Sequence, residues 1–355
     1  MRRLPPRHRL MASTFFNRVS ERRKPVYTTE FGEAWADDAR KLLKKLDDKS
    51  INLIITSPPY ALIKQKEYGN EGEDAYIKWF RPFAREFYRI LKDDGSLVIN
   101  IGGTWKKGQP VRSLYPYQLI LDLCNPSSNR RKSEKFHLAQ EFYWLNPAKI
   151  PNPVEWVNVR RIRVKDAVEH VWWLSKTIWP KADNRRVLIP YSKHMERLIK
   201  TGRYNSGLRP SGWNISESWA KDNGGAIPPN FEGRDALELI FNLLVISNTS
   251  SNDSLHRALR ARGNKSHPAM FPTGLPEFFI RMLTSEKDVV LDPFCGSNVT
   301  GYMAEKLGRN WLSIDKDYEY VKASRFRWHN PPELTISETP IQEKQKSRSI
   351  IKQTS

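Results

Sequence analysis

Thr56-Ser57-Pro58-Pro59-Tyr60 gathers a hydroxyl, two stiff prolines and an aromatic ring into one short stretch. Proline fixes φ and carries no N–H, so the carbonyls of Ser57 and Pro58 are turned toward something other than a backbone ladder. The Ser57 hydroxyl and those carbonyls form a cluster of acceptors suited to a flat ring bearing an amino group, with Tyr60 stacking on its face. A proline-stiffened turn after a strand is the plainer reading of the same five residues. A second candidate is Asp292-Pro-Phe-Cys-Gly-Ser-Asn-Val-Thr-Gly301, which reads as strand end, tight turn and helix start. Gly296 admits a ligand close to the backbone, and the helix N-terminus offers free N–H groups. Asp315 ends the following strand, about 20 positions after the loop, where an acidic residue accepts hydrogen bonds from ribose hydroxyls. Gly296-x-Asn298-x-x-Gly301 lacks the second glycine of a dinucleotide fingerprint, which argues against NAD and leaves another nucleoside-bearing cofactor.

Other chemistries find little support. Cys124 and Cys295 are 171 positions apart, with no CxxC and no histidine pair nearby, so neither a disulfide framework nor a metal site is indicated. Neither adjoins an activating base, which argues against covalent cysteine catalysis. The formal charge of +20 suits a chain that faces phosphate or an anionic membrane. No apolar run approaches the length of a membrane span, and the Arg-rich residues 1–25 lack a signal-peptide core, so a soluble, cytoplasmic protein is expected.

The elements around the two motifs read as α/β. Ile51–Ile55 is a buried parallel strand, and a strand end in an open α/β sheet opens into a ligand crevice. A helix is predicted from Ala34 to Asp47, with Trp35, Ala39, Leu42, Leu43 and Leu46 on one face and Asp37 and Asp38 near its positive end. Lys64–Gly72 is read as a mobile loop able to close over a ligand. Asp74–Leu91 is a helix with a kink at Pro82, Ser96–Ile101 a strand, Tyr115–Cys124 a helix, and Phe136–Leu145 and Ala167–Ser175 two more strands. Gly274–Thr284 and Thr300–Leu307 are helices, Asp288–Asp292 and Asn310–Ile314 strands, and a last helix runs to about His329. The polar tail after Pro331-Pro332 is expected to be disordered.

The middle of the chain differs in character. Residues 125–265 carry 24 Lys and Arg against 13 Asp and Glu, a net of +11 out of +20. Within the connection 146–165, Arg160, Arg161, Arg163 and Lys165 form either a solvated face or a phosphate track; the second is favoured because Trp144, Trp156, Trp172 and Trp173 interleave with them. A loop-rich, basic, aromatic segment is how a DNA-reading lobe looks, and a solvated structural subdomain shares the composition.

Thr-Ser-Pro-Pro-Tyr, then His267-Pro-Ala-Met-Phe-Pro-Thr-Gly-Leu-Pro276, then Asp292–Gly301 and Trp311-Leu-Ser-Ile-Asp315, resemble the motifs of the β-class amino DNA methyltransferases across most of residues 27–329. Asn158–His170 and the Gly-Ser-Asn form of the cofactor loop resemble the PvuII-like cytosine-N4 branch. Asn298 and Ser313 stand where the broader family more often has glycine, and Asn52 where it often has Asp.

The resemblance implies a Rossmann-like, mostly parallel methyltransferase sheet with permuted motif order and a basic, loop-rich target-recognition lobe. The expected organisation is a basic arm (1–25), a catalytic half (26–176), a target-recognition region (177–265), a cofactor half (266–330) and a tail (331–355). The implied cofactor is S-adenosylmethionine, and the implied substrate is a cytosine flipped out of double-stranded DNA and methylated at N4. Ser57, Pro58, Pro59 and Tyr60 are the expected catalytic residues. Asp292, Phe294, Gly296, Ser297 and Asn298 would hold the methionine portion and Asp315 the ribose. His267, Pro268, Phe271 and Pro272 would wall the pocket, with Asp38 a further contact. No metal is required. Trp144 is a candidate to cover the second face of the base, and a restriction endonuclease acting on the same site is the expected partner. An adenine-N6 methyltransferase and a non-catalytic DNA-binding protein of the same fold are the alternatives.

Overall fold

The computed structural model describes residues 24–61, 72–125, 134–150, 153–190, 238–239, 242–247, 255 and 272–335. The expected arm 1–25 lies almost wholly outside these residues, as do most of the Lys64–Gly72 loop, most of 191–271 and the tail beyond 335.

Among the described residues, nine strands make one sheet. In chain order they are β1 (Tyr27–Thr28), β2 (Gly32–Ala36), β3 (Ile51–Thr56), β4 (Leu91–Ile101), β5 (His137–Leu145), β6 (Val168–Ser175), β9 (Leu243–Val245), β10 (Val289–Asp292) and β11 (Asn310–Asp315); β7 (Ile189–Pro190) and β8 (Glu238–Leu239) pair separately. Their spatial order is β1-β2-β11-β10-β3-β4-β6-β5-β9. From β2 to β4 all neighbours are parallel, and β4, β6 and β5 then continue antiparallel.

This order creates the crevice. After β3 the chain crosses through helix α2 (Glu73–Ile90) to β4 on one side; after β10 it crosses through a further helix to β11 on the other. The direction of winding reverses between β3 and β10, and ligands in open α/β sheets bind outside the carboxyl ends of the strands at such a reversal. Thr56 and Asp292, the last residues of these two strands, are the residues that precede the two motifs.

Both faces of the sheet are covered. Alternate residues of a strand face opposite sides: Ile54, Leu97, Ile99, Leu291 and Leu312 pack with α1 (Ala39–Leu43), α2 and α3 (Tyr115–Cys124), while Leu53, Ile55, Val98, Val290 and Trp311 pack with α4 (Gly274–Leu283), α5 (Val299–Lys306) and α6 (Tyr318–Ser324). Burial on both faces is why β3 reads as an unbroken apolar run.

The predicted helix Ala34–Asp47 requires correction. Ala34 and Trp35 belong to β2, which runs parallel to β11 with Ala34 opposite Ser313, and α1 starts at Ala39. The expected face is buried, but Trp35 reaches the core from a strand. Tertiary pairing overrides the helical spacing: a Cβ on Gly32 would lie 2.2 Å from the Trp311 ring, so the bare backbone there is what lets β2 approach β11. Asp38 then starts α1 as its N-cap, its carboxylate accepting from Arg40 N. Trp144 also needs correction. It is buried on the α4 side of the sheet and donates Nε1–H to the Ile246 carbonyl, far from any exposed base-stacking role. Trp172 and Trp173 are likewise core residues of β6 and do not interleave with the basic run.

Candidate active site

Ser57 and Tyr60 follow β3 directly and are half-buried, Pro58 is buried and Pro59 is half-buried. The ladder between β3 and β4 ends with Thr56 opposite Ile99, which releases the next residues from the sheet. The Ser57 hydroxyl donates to Tyr60 Oη at 3.1 Å. Tyr60 Oη in turn lies 3.0 Å from Asn100 Oδ1 on β4 and 3.0 Å from Glu169 Oε2 on β6. Asn100 Nδ2 donates to the same Glu169 oxygen and to the His170 carbonyl, and Lys149 Nζ reaches Glu169 Oε1 at 2.9 Å. Burial, reinforced by the Glu169 charge, holds the Tyr60 phenol well above its ordinary ionisation range. The ring lies against Gly102, where a Cβ would come within 2.5 Å of it.

Across the crevice, Asp292 is buried at the end of β10. One carboxylate oxygen accepts from Thr56 Oγ1 (2.7 Å) and Phe294 N (3.1 Å), the other from Thr300 Oγ1 (2.7 Å). Burial raises its pKa to about 6 despite these donors. The Thr56 bond ties the ends of β3 and β10 together, so both loops spring from one stitched point. Gly296 (φ 49°) and Asn298 (φ 53°) both adopt the left-handed conformation that folds the loop back into α5. Asn298 suits that position because its amide bonds locally: Oδ1 accepts from Gly301 N and Ser313 Oγ, and Nδ2 donates to Tyr27 Oη. Ser297 Oγ accepts from Arg327. Asp315 accepts from Gly296 N at 2.8 Å and from Asp317 N at 3.0 Å. Phe294 is half-buried and packs on Trp79 and Phe83.

The loop after β10 therefore brings together Asp292, Phe294, Gly296, Ser297, Asn298 and Asp315, with the side chains of Asp292, Ser297 and Asn298 turned into the protein. Asp38 caps α1 and is forked by the Arg40 guanidinium, which holds its carboxyl below the usual carboxylate range. Pro272 is buried just ahead of α4; His267, Pro268 and Phe271 lie outside the described residues. The arrangement fits a nucleoside-bearing cofactor: a glycine-bearing turn shaped by internal bonds, an aromatic ring, and a carboxylate at the end of the next strand.

The basic run packs beside the loop that leaves β4. Arg163 donates to the Pro110 carbonyl and lies over the Trp105 ring, as does Arg112; Trp156 packs edge-on against Trp105 at 5.2 Å. Arg160 is paired with Glu155, Lys165 Nζ donates to the Pro147 carbonyl, and Arg161 is exposed with a φ of 57°. Of the four tryptophans expected among these charges, Trp156 is the one placed there.

The sequence assigned no individual role to Thr56 and Thr300, which lie inside the two motifs, nor to Asn100, Gly102 and Glu169. Asn100 carried a usable signal, a polar residue inside the apolar strand Leu97–Ile101. Glu169 lies within the Asn158–His170 stretch that carries the family resemblance, but its place in the site depends on the antiparallel register that sets Ile101 opposite His170. Burial pushes the Cys124 thiol up to about 11 and the Cys295 thiol well above its ordinary range, which leaves neither as a ready nucleophile. Among the described residues, no group of three or more His, Cys, Asp or Glu is placed to hold a metal ion, and no helix is long and apolar enough to cross a membrane.

Known proteins resemble this chain in sequence and fold. The sequence profile of a family described as DNA methylase matches residues 51–326. The chain is 47% identical over 308 residues to the type II methyltransferase M.PvuII of Proteus hauseri, covering 86% of each protein, and 26% identical over 309 residues to M.BglI of Bacillus subtilis, covering 81% and 82%. The solved structure of the PvuII DNA methyltransferase, described as cytosine-N4-specific, superposes with a TM-score of 0.67 and 39% identity over 88% of this chain and 91% of that one. With its serine loop and its glycine-bearing loop stitched together at the reversal point of a parallel sheet, this chain belongs to the DNA methylase family.

Proposed function

We propose that this enzyme transfers a methyl group from S-adenosylmethionine to the N4 amine of a cytosine flipped out of duplex DNA. The observation that carries this reading is the Thr56–Asp292 bond, which holds the serine-bearing loop and the cofactor loop at one crevice in a chain so similar to M.PvuII. The cofactor supplies the methyl group already activated as a sulfonium, so the chain's own residues have only to grip, orient and manage one proton.

The amine of cytosine is a poor nucleophile because its lone pair is delocalised into the ring. Ser57 commits its own hydrogen to Tyr60, which leaves the lone pairs of Oγ to accept one amine hydrogen. A carbonyl of Ser57 or Pro58, stiffened by Pro58 and Pro59, accepts the second. Held in this way the nitrogen pyramidalises and its lone pair is directed at the methyl group. Asp315 receives the ribose, Phe294 flanks the bound cofactor, and Gly296, Ser297 and Asn298 shape the backbone that surrounds it, with Asp292 fixing the loop from below. The family resemblance assigns His267, Pro268, Phe271 and Pro272 to cofactor contact, with Asp38 a further contact.

Flipping the base costs roughly a few kcal/mol in unstacking and unpairing. Stacking on Tyr60 returns about 1–3 kcal/mol of that. Arg160, Arg161, Arg163 and Lys165 follow the phosphate backbone and position the duplex without reading its sequence. An enzyme with this substrate works where the DNA is, in the cytoplasm, and a restriction endonuclease cutting the same sequence is its functional partner, needing no direct contact.

The test is to incubate the enzyme with mixed-sequence duplex DNA and labelled S-adenosylmethionine, digest to nucleosides and identify the product by mass. N4-methylcytosine that disappears in Ser57→Ala is expected. N6-methyladenine would keep the site and change the base, and cofactor binding without product on any sequence would leave a DNA-binding protein.

A further inference from the structure

The Ser57–Tyr60 pair does not end in solvent. It continues to a carboxylate on a strand that neither motif contains. We propose that Glu169 is a positioning residue for methyl transfer: acting through Tyr60, it fixes the Ser57 hydroxyl as an acceptor and takes up the proton that the amine releases. This inference rests on the reading of Ser57 as the group that holds the amine.

The geometry is directional. Tyr60 Oη receives the Ser57 hydrogen at 3.1 Å and has one hydrogen to give. Two acceptors stand at 3.0 Å, the Asn100 amide oxygen and the Glu169 carboxylate, and a hydrogen bond to the ionised acceptor is the stronger. Asn100 Nδ2 and Lys149 Nζ hold Glu169 in place from two further elements. A carboxylate is an acceptor only, so it polarises the chain one way, from Ser57 through Tyr60 to Glu169.

The proton balance follows. Each turnover makes one N–CH3 bond, breaks the S–CH3 bond with its electron pair left on the sulfur, and frees one proton from the amine nitrogen. As the amine N–H breaks, its proton bonds to Ser57 Oγ; the Ser57 hydrogen passes to Tyr60 Oη, and the Tyr60 hydrogen passes to Glu169. The two hydroxyls end as they began and the carboxylate ends protonated, to be emptied into water before the next cycle. Tyr60 hands the proton on without resting as a phenolate, in keeping with its raised ionisation range. The titratable groups facing Glu169 are Tyr60 from the β3 loop, Tyr115 from α3 and Lys149 from the β5–β6 connection. His170, the next residue of β6, pairs instead with Glu141 on β5.

The experiment compares wild type, Glu169→Gln and Tyr60→Phe in single turnovers with duplex DNA and S-adenosylmethionine. Each variant is expected to slow about a hundredfold, at the low end of what a positioned acid or base contributes. Affinity for the cofactor, read by calorimetry, is expected to stay within twofold of wild type. Glutamine keeps the outline of Glu169 but cannot take up the proton, so Glu169→Gln is expected to slow the chemical step and leave cofactor affinity as it was; a merely structural glutamate would lower both together. The double variant is expected to be little slower than either single one, as for residues that act as a unit. In the free enzyme, the ¹³Cζ resonance of Tyr60, assigned by its loss in Tyr60→Phe, is expected to move in Glu169→Gln. A wild-type rate in Glu169→Gln, or a wild-type rate in Tyr60→Phe, overturns the relay while leaving Ser57 in place. Undiminished turnover in Ser57→Ala overturns the reading beneath it.

Discussion

The loops after β3 and β10 leave neighbouring strand ends and are held in opposite ways. After β10, Asp292, Ser297 and Asn298 are 3%, 6% and 0% exposed, and each spends its side chain on internal partners. What that loop offers a ligand is backbone, shaped in advance. After β3, Ser57 and Tyr60 are half-buried, and their hydroxyls are aimed by residues of β4 and β6. What that loop offers is oriented oxygen. A preformed turn grips without reorganising, whereas an aimed hydroxyl costs little to use in the reaction, so the division of binding from chemistry is visible in which atoms each loop buries.

The largest expected effect tests that division directly. Ser57→Ala should lower turnover by about 10²–10⁴ while cofactor affinity, measured by calorimetry, stays near wild type. If cofactor affinity falls in step with turnover, the two loops are not separable and the contrast fails.

Asp292 sharpens it from the other side. Burial raises its folded-state pKa from 3.8 to about 6, so its stabilising contribution is complete below the unfolded value and is lost as pH rises through about 6. The shift of roughly two units corresponds to about 3 kcal/mol. Asp292→Asn has no charge to bury. Its thermal stability relative to wild type should therefore improve between pH 4 and pH 7 by about that amount, read as melting temperatures of both proteins at each pH. A constant difference would mean that Asp292 is already ionised in the folded protein at low pH.

Gly102→Ala comes next. The new Cβ would meet the Tyr60 ring at 2.5 Å, so the ring and the hydroxyl pair it belongs to must shift. A displacement of this order costs about 10²-fold in rate, again without loss of cofactor affinity, whereas a stability loss with normal turnover would make Gly102 a packing residue only.

Much of this was legible in the chain. Strand β3 announces itself because both its faces are buried, and α3 runs from Tyr115 to Cys124 as its spacing predicts. Two misreadings share a cause. Trp35 and the tryptophans of β5 and β6 sit in strands whose place in the sheet is fixed by partners distant in sequence, and local periodicity cannot see those partners. The site divides in the same way. Ser57, Tyr60 and the 292–301 loop are contiguous motifs; Glu169 enters only because β6 pairs antiparallel with β4 and carries it alongside Asn100.

Asn298 and Ser313 illustrate what a motif departure means once the contacts are known. Both stand where glycine is the commoner residue, and they are bonded to each other at 2.6 Å. One departure answers the other. Asn298→Gly alone leaves the Ser313 hydroxyl without that acceptor, and Ser313→Gly alone leaves Asn298 without that donor, while the double change removes both. A double-mutant cycle by denaturant unfolding should give a coupling of about 1 kcal/mol, within the range for residues in contact; additive losses would show two independent substitutions.

The smallest effect concerns the basic run, where the four charges are not equivalent. Arg160 is paired with Glu155, Arg163 is spent partly on Pro110 and Trp105, and Lys165 rests on the Pro147 carbonyl. Arg161 is exposed, and its positive φ turns the chain between them. A side chain that contacts one phosphate contributes about 0.9 to the slope of log affinity against log salt. Arg161→Gly, which relieves the Cβ strain of the left-handed backbone, should thus lower that slope by about one and leave cofactor affinity unchanged. Arg161→Ala should lower it equally and leave stability near that of wild type, because arginine already carries a Cβ in that conformation. An unchanged slope in both would make the run a solvated face, and the duplex would then have to be held by Arg112 and the loop beyond β4.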